Sequence, residues 1–133
     1  MSIVVPDASL ILKWVVPSDN EPYVEQALAV REAFIRDEIT LQIPALWYFE
    51  VGNTLARKFP EEAASQLHGL LDFGMIEVMM NDAWQVKILT IVRNYAVTFY
   101  DASYHALAMI QGGTFVTADD SPNAEPTMRG TQP

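Results

Sequence analysis

The stretch Thr98–Asp120, TFYDASYHALAMIQGGTFVTADD, decides the fold. Ala102, Tyr104, Ala106, Leu107, Ala108, Met109 and Ile110 recur at helical spacing, with Asp101 in the opening turn and Gly112-Gly113 at the stop. Thr98 followed three residues later by Asp101 fits a capping box. Thr114-Phe115-Val116-Thr117 is then a short β-rich run that leads through Ala118 into Asp119 and Asp120, and reads as a buried strand. A helix packed over such a strand is part of an α/β unit. Open parallel sheets place ligands just beyond the carboxyl ends of their strands, so Asp119 stands where a site is expected.

Working outward, the rest of the chain repeats the unit. Ile3-Val4-Val5 is an apolar strand closed by Pro6, with Asp7 at its exit. Leu10, Ile11, Trp14 and Val15 mark a short helix that Asp7 or Ser9 can cap, and Pro17 to Asn20 break it. A second helix is predicted from Glu21 to Arg36 and a strand over Leu41-Gln42-Ile43, after which Pro44 opens a helix over Ala45 to Phe59. On that helix Glu50, Asn53, Thr54 and Arg57 form a narrow polar stripe among apolar neighbours. Pro60 begins a further helix that stops at Gly74, Met75 to Met79 form a strand, and Asn81 or Asp82 caps a helix to Arg93, with Tyr95 to Phe99 as linker.

Strands alternating with helices imply a parallel sheet of about four strands with helices on both faces. Residues 1–120 are expected to form the domain, and residues 121–133, rich in Pro and poor in apolar side chains, a loosely held tail without a helix or strand of its own.

A chain of 133 residues, 50% hydrophobic, suffices for one domain with a buried core. No Cys is present, which removes disulfides and thiolate metal sites. The opening MSIVVPDAS lacks the pattern of a signal peptide, and no apolar run reaches the roughly 18 residues of a membrane span. A soluble, cytoplasmic protein is expected. The net charge of −9 is the wrong sign for holding nucleic acid by electrostatics alone, so a phosphate ligand needs bound cations or a local basic patch.

In a parallel sheet Asp7 and Asp119 leave their strands at one edge, where Asp101 sits near a helix start and Glu50 reaches in from the side. Like charges so gathered need a cation to compensate them. Mg²⁺ or Mn²⁺ suits oxygen-only ligands, keeps several waters and accepts a phosphate oxygen, which points to phosphodiester hydrolysis. Each acid also has a plain structural role open to it: Asp7 as a helix cap, Asp101 as a helix-start acid, Glu50 as a partner of Arg57 or Thr54, Asp119 as a turn residue. His68 and His105 lack metal-ligand spacing and are assigned to surface or packing roles. Trp14, Trp47 and Trp84 are assigned to core or interface. No Ser-centred elbow, P-loop or dinucleotide fingerprint occurs.

The order VVPDASLILKW, PALWYFEVGNTL, YDASYHALA, FVTAD resembles the PIN-domain family, and within it the VapC-type toxin ribonucleases of bacterial toxin–antitoxin pairs. The resemblance implies a three-layer α/β/α sandwich and an Mg²⁺- or Mn²⁺-dependent site in which Asp7, Glu50, Asp101 and Asp119 match the family's acids. Ser9 and Thr117 match its small hydroxyl positions and Asn53 the polar position one turn beyond the glutamate. It implies cleavage of RNA to a 5′-phosphate and a 3′-hydroxyl, inhibition by a cognate antitoxin protein, and a homodimer. Lys13, Arg57 and Lys58 are candidate phosphate contacts, although solvation explains them equally well. Trp14, Val15, Val16 and Tyr23 are candidates for an antitoxin groove, with core packing as the alternative. The sequence departs from the family after FVTAD, where the usual last strand is missing from SPNAEPTMRGTQP and the fourth strand is left with an open edge.

Two rivals remain. One is a catalytically degenerate PIN module that only binds a partner protein. The other is a phosphoacceptor receiver domain with Asp82 as acceptor, which wants an acid pair after the first strand and a late Lys that this chain lacks.

Overall fold

Alternating strands and helices fill the computed structural model, which describes residues 1–16, 23–118 and 130–132. Strand β1 (Ser2–Pro6) lies at the centre, parallel to β2 (Ile39–Pro44) on one side and to β4 (Thr114–Thr117) on the other. β3 (Ile76–Val78) continues the sheet beyond β2, again parallel, and the strand order is β3-β2-β1-β4-β5. The last of these, β5 (Gly130–Gln132), runs antiparallel to β4 and pairs Thr117 with Gly130.

β5 corrects the expectation of a tail with no strand and of a β4 edge left open. Sheet pairing is made by main-chain groups, so a three-residue Gly-Thr-Gln segment can add to an edge without the apolar alternation by which strands are read in sequence. The remaining tail residues, and the break predicted at Pro17 to Asn20, lie outside the described residues.

Helices cover both faces. Helix α1 (Ala8–Val15) packs on α2 (Val24–Ile35) and α3 (Leu46–Lys58), and α3 on α4 (Ala63–Leu71). Helix α6 (Phe99–Gln111) lies against β1, β2 and β4 and carries α5 (Asp82–Tyr95) outside it. The result is the α/β/α sandwich expected.

Local chemistry fixes these elements. Asp7, in extended conformation, caps α1 by accepting the Leu10 N–H at 3.1 Å, while Leu10 and Ile11 are fully buried and the Trp14 indole donates to the Ala27 carbonyl at 2.7 Å. Such a cap typically contributes about 1 kcal/mol. Thr98 caps α6 through the Asp101 N–H at 3.0 Å, and Gly112 ends it at φ 67°, where only glycine is unstrained. All residues from Ala102 to Ala108 are buried, so α6 is an interior helix rather than a surface one.

Gly113 is required for a different reason. A Cβ there would come within 2.7 Å of the Ile3 carbonyl oxygen, so the α6–β4 turn can press on β1 only without a side chain.

Several boundaries shift. Pro44 ends β2 instead of opening α3, and the helix after Pro60 begins at Ala63. Helix α5 continues to Tyr95 and ends on Ala96 at φ 53°, a left-handed alanine with no sequence signal. The histidines fall as expected: His105 is buried against Phe115, and exposed His68 pairs with Asp72 at 3.4 Å. All three tryptophans are buried.

Candidate active site

From β1 the chain proceeds by way of α1 and α2 to β2 on one side, while β4 occupies the other, which makes the β1/β4 junction the point where strand order reverses and a crevice opens. Asp7 stands at its mouth, and its N–H donates to the Val116 carbonyl at 3.1 Å, extending the ladder by one bond.

The Asp7 carboxylate is held by neutral donors. Its Oδ1 accepts from Ser9 Oγ at 2.6 Å and from the Leu10 N–H, and its Oδ2 accepts from Thr117 Oγ1 at 2.5 Å. Ser9 Oγ in turn accepts the Ala118 N–H at 3.0 Å and lies 3.3 Å from Thr117 Oγ1. Ser9 and Thr117, 108 positions apart, thereby tie α1 to the exit of β4 through the acid between them.

Helix α3 contributes Glu50, which accepts a hydrogen bond from the Tyr104 hydroxyl at 2.5 Å. Tyr104 follows Asp101 by one turn of α6, so both face the same cleft. That cleft, of about 300 Å³, is lined by Asp7, Ser9, Leu12, Glu50, Asn53, Thr54, Asp101 and Tyr104. Three of the four predicted acids therefore share one opening, and Asn53 joins them. Asp119 lies outside the described residues.

The groups also sense each other electrostatically. Burial raises the Glu50 pKa above its ordinary value; the Tyr104 hydrogen bond opposes this, and the Asp101 charge adds to it. Ionisation of the Tyr104 phenol is suppressed, first by burial, then by Glu50, with Asp7 and Asp101 contributing. Tyr104 is thus a neutral donor placed among three carboxylates. No Lys or Arg is among the described residues that line the cleft.

Lys13 sits in the last turn of α1, and Arg57 and Lys58 in the last turn of α3; none belongs to the lining. Among the described residues no group of three or more acids or histidines forms a ready-made metal cage. Trp14 is core, and Val15, Val16 and Tyr23 are half-buried, with Trp14 and Val15 also bordering a cleft between α1, α2 and α4.

The cleft residue that sequence reading misses is Tyr104, the donor to Glu50. Its signal is weak but present: it stands three positions after Asp101 in the motif YDASYHALA, and hence on the same helical face.

The profile of the PIN domain matches residues 4–123. No curated protein matches the chain. Among solved structures, the chain is similar to VapC20 of Mycobacterium tuberculosis, described as a toxin that cleaves the sarcin-ricin loop. The TM-score is 0.62 at 15% identity, over 83% of this chain and 84% of that one. It is also similar to PAE2754 from Pyrobaculum aerophilum, with a TM-score of 0.61 at 22% identity over 90% of this chain and 81% of that one.

Proposed function

Since the chain belongs to the PIN domain family, whose members are generally nucleases, we propose that it is a metal-dependent endoribonuclease and the toxin of a toxin–antitoxin pair. The observation that carries this reading is the cleft itself: Asp7, Glu50 and Asp101 open onto one space in which the described lining offers hydroxyl and amide groups but no basic side chain. Acids gathered so, with the Glu50 pKa already pushed up, favour a bound cation over mutual repulsion.

The donor set fits Mg²⁺ or Mn²⁺. All its atoms are oxygens, apart from the amide of Asn53. Mg²⁺ is commonly held by one or two carboxylates plus waters and substrate phosphate, so a complete protein cage is not required. Asp7, Glu50 and Asp101 are the residues assigned to hold it, with Asp119 added from the sequence motif alone. When bound, the ion supplies Lewis-acid stabilisation of the negative charge that builds on a phosphodiester and makes water a better nucleophile.

The protein's own part is positioning. Ser9, Thr117 and the Leu10 N–H fix both oxygens of Asp7, so its lone pairs are aimed before a ligand arrives. Tyr104 does the same for Glu50 without adding a charge. Asn53, one turn beyond Glu50, offers a neutral polar contact on the same wall. Lys13, Arg57 and Lys58 are proposed as outlying phosphate contacts.

RNA is the proposed substrate, cut to a 5′-phosphate and a 3′-hydroxyl. A cognate antitoxin and a second copy of the chain are the proposed protein partners, and the cytoplasm the proposed location. Among the described residues no helix is long and apolar enough to cross a membrane.

The experiment is cleavage of a mixed RNA pool with Mn²⁺, with and without EDTA, by the wild type and Asp7→Asn. Asparagine keeps the helix cap and nearly the same shape but discards the charge. Chelator-sensitive cleavage and growth inhibition that vanish in the variant support the enzyme. A variant indistinguishable from wild type in both assays identifies a module that only binds a partner.

A further inference from the structure

A second and larger cleft, of about 510 Å³, draws on the same two helices, α3 and α6, as the acidic one. Leu46, one turn before Glu50, and Phe99, Tyr100 and Ser103, which flank Asp101, stand in its wall. The exit of β3 and the start of α5 add Met79, Met80 and Trp84 to the same lining. Tyr100 is 58% exposed and Met79 86%, so this is an open apolar groove next to the acids and not a closed core.

A single carboxylate interrupts the apolar lining. Glu77 accepts the indole N–H of buried Trp47 at 2.6 Å, which holds it in place in the groove wall. No Lys or Arg is among the described lining residues.

These features select one kind of occupant. A fixed carboxylate without a neighbouring cation repels phosphate but accepts N–H donors, and each carboxylate oxygen has lone pairs beyond the one that Trp47 uses. Exposed aromatic and thioether side chains offer flat, polarisable surface to a π-face. The volume lies in the usual range for small-ligand pockets. Leu46 of the groove and Glu50 of the acidic cleft lie four residues apart on one face of α3, about 6 Å along its axis. A strand with its phosphate at the acids therefore has a neighbouring base within reach of the groove.

On the nuclease reading above, on which this rests, we propose that the groove receives an unstacked base of the RNA next to the cleaved phosphate. Guanine is preferred over the other bases, packed against Tyr100 with its N1–H and N2–H₂ donating to Glu77. Guanine alone presents two adjacent donors on its pairing edge, which match the two oxygens of a carboxylate. A base held in a duplex cannot present that edge, so single-stranded RNA is the substrate form.

The test uses three probes: a fluorescein-labelled uridine-rich oligoribonucleotide with one guanosine, the same strand with inosine in its place, and the guanosine strand annealed to its complement. Affinity is read by anisotropy with Ca²⁺, an oxygen-binding cation that lets phosphate approach the acids, and cleavage separately with Mn²⁺. Inosine lacks the N2 amino group and should bind roughly tenfold more weakly, and the duplex more weakly still. Glu77→Gln keeps an acceptor for Trp47 but turns an amide NH₂ towards the base, and should erase the guanosine–inosine difference. Tyr100→Ala, checked for folding by circular dichroism, should weaken every single-stranded probe by about tenfold whatever its base.

Equal affinity for guanosine and inosine, or unchanged RNA affinity in both variants, overturns the proposal. So does a shift from dimer to monomer in sedimentation on Tyr100→Ala with RNA affinity intact, because the groove is then a contact between copies. If the wild type binds with the predicted preferences but cuts nothing, the nuclease reading falls and the groove assignment survives.

Discussion

Replacing Tyr104 by Phe removes one oxygen and nothing else from a side chain that is 1% exposed. The lost group donates to Glu50 at 2.5 Å. Hydrogen bonds to charged acceptors contribute about 1.5–3 kcal/mol to stability. Glu50 is half-buried, so water replaces part of the bond and the lower end, about 1.5 kcal/mol, is expected near neutral pH. That corresponds to a fall in Tm of roughly 5 °C for a chain of this size.

The pH dependence is the sharper test. The folded Glu50 pKa is raised from 4.5 chiefly by burial and further by Asp101, with the Tyr104 bond pulling the other way. A carboxyl with a raised folded pKa contributes its stability below the unfolded value and loses it as pH rises through the folded one. Tyr104→Phe takes away the only one of those causes that lowers the pKa, so the window widens and the variant's deficit grows from about pH 4.5 to about pH 8. Urea unfolding of wild type, Tyr104→Phe, Glu50→Gln and the double variant at both pH values measures it. A coupling of about 1 kcal/mol at the higher pH, shrinking at the lower, is expected. A deficit that is the same at both pH values, with coupling near zero, would refute the assignment of Tyr104 as the donor to ionised Glu50.

Ser9→Ala and Thr117→Val each strip one hydroxyl from Asp7, and each should weaken Mn²⁺ affinity by about 10–100-fold, as loss of a supporting donor commonly does. Titration of Mn²⁺ into the two variants tests this, and unchanged binding in both would show that Asp7 needs no orientation. Because the Glu50 pKa is raised, Mn²⁺ added at about pH 5 should displace a proton. Calorimetry in two buffers of different ionisation enthalpy reveals it, and identical heats would count against Glu50 as a ligand. Gly113→Ala drives a methyl against the Ile3 carbonyl and should cost about 1–3 kcal/mol in urea unfolding, with no effect expected on metal affinity.

Much of the architecture was legible because it rests on local pattern. The apolar run Ile3-Val4-Val5 closed by Pro6 became β1, and Thr98, Asp101 and Gly112 marked both ends of α6. What escaped depends on contacts distant in sequence. The residue that holds Glu50 lies 54 positions away, and no local periodicity encodes that distance. β5 has no apolar alternation to announce it, since backbone pairing with β4 makes it a strand. Ala96 ends α5 in a conformation for which Gly is the usual marker, so the helix ran past its predicted stop at Arg93. Of the polar stripe read on α3, Glu50, Asn53 and Thr54 stand in the cleft with Trp47, Val51 and Leu55 buried behind them, while Arg57 stays outside the lining and Phe49 is 71% exposed.

Both rims of the sheet, β3 and β5, are only three residues long, whereas β1 and β4 each have a strand on either side. Opening of a sheet tends to start where pairing is one-sided and brief, so fraying at a margin leaves the inner pair closed. The strands that deliver Asp7 and Thr117 are therefore clamped from two directions, and a slip of either by one residue would exchange the side chains it presents to the two helical layers. Such short margins also give a foreign chain little backbone to zip onto.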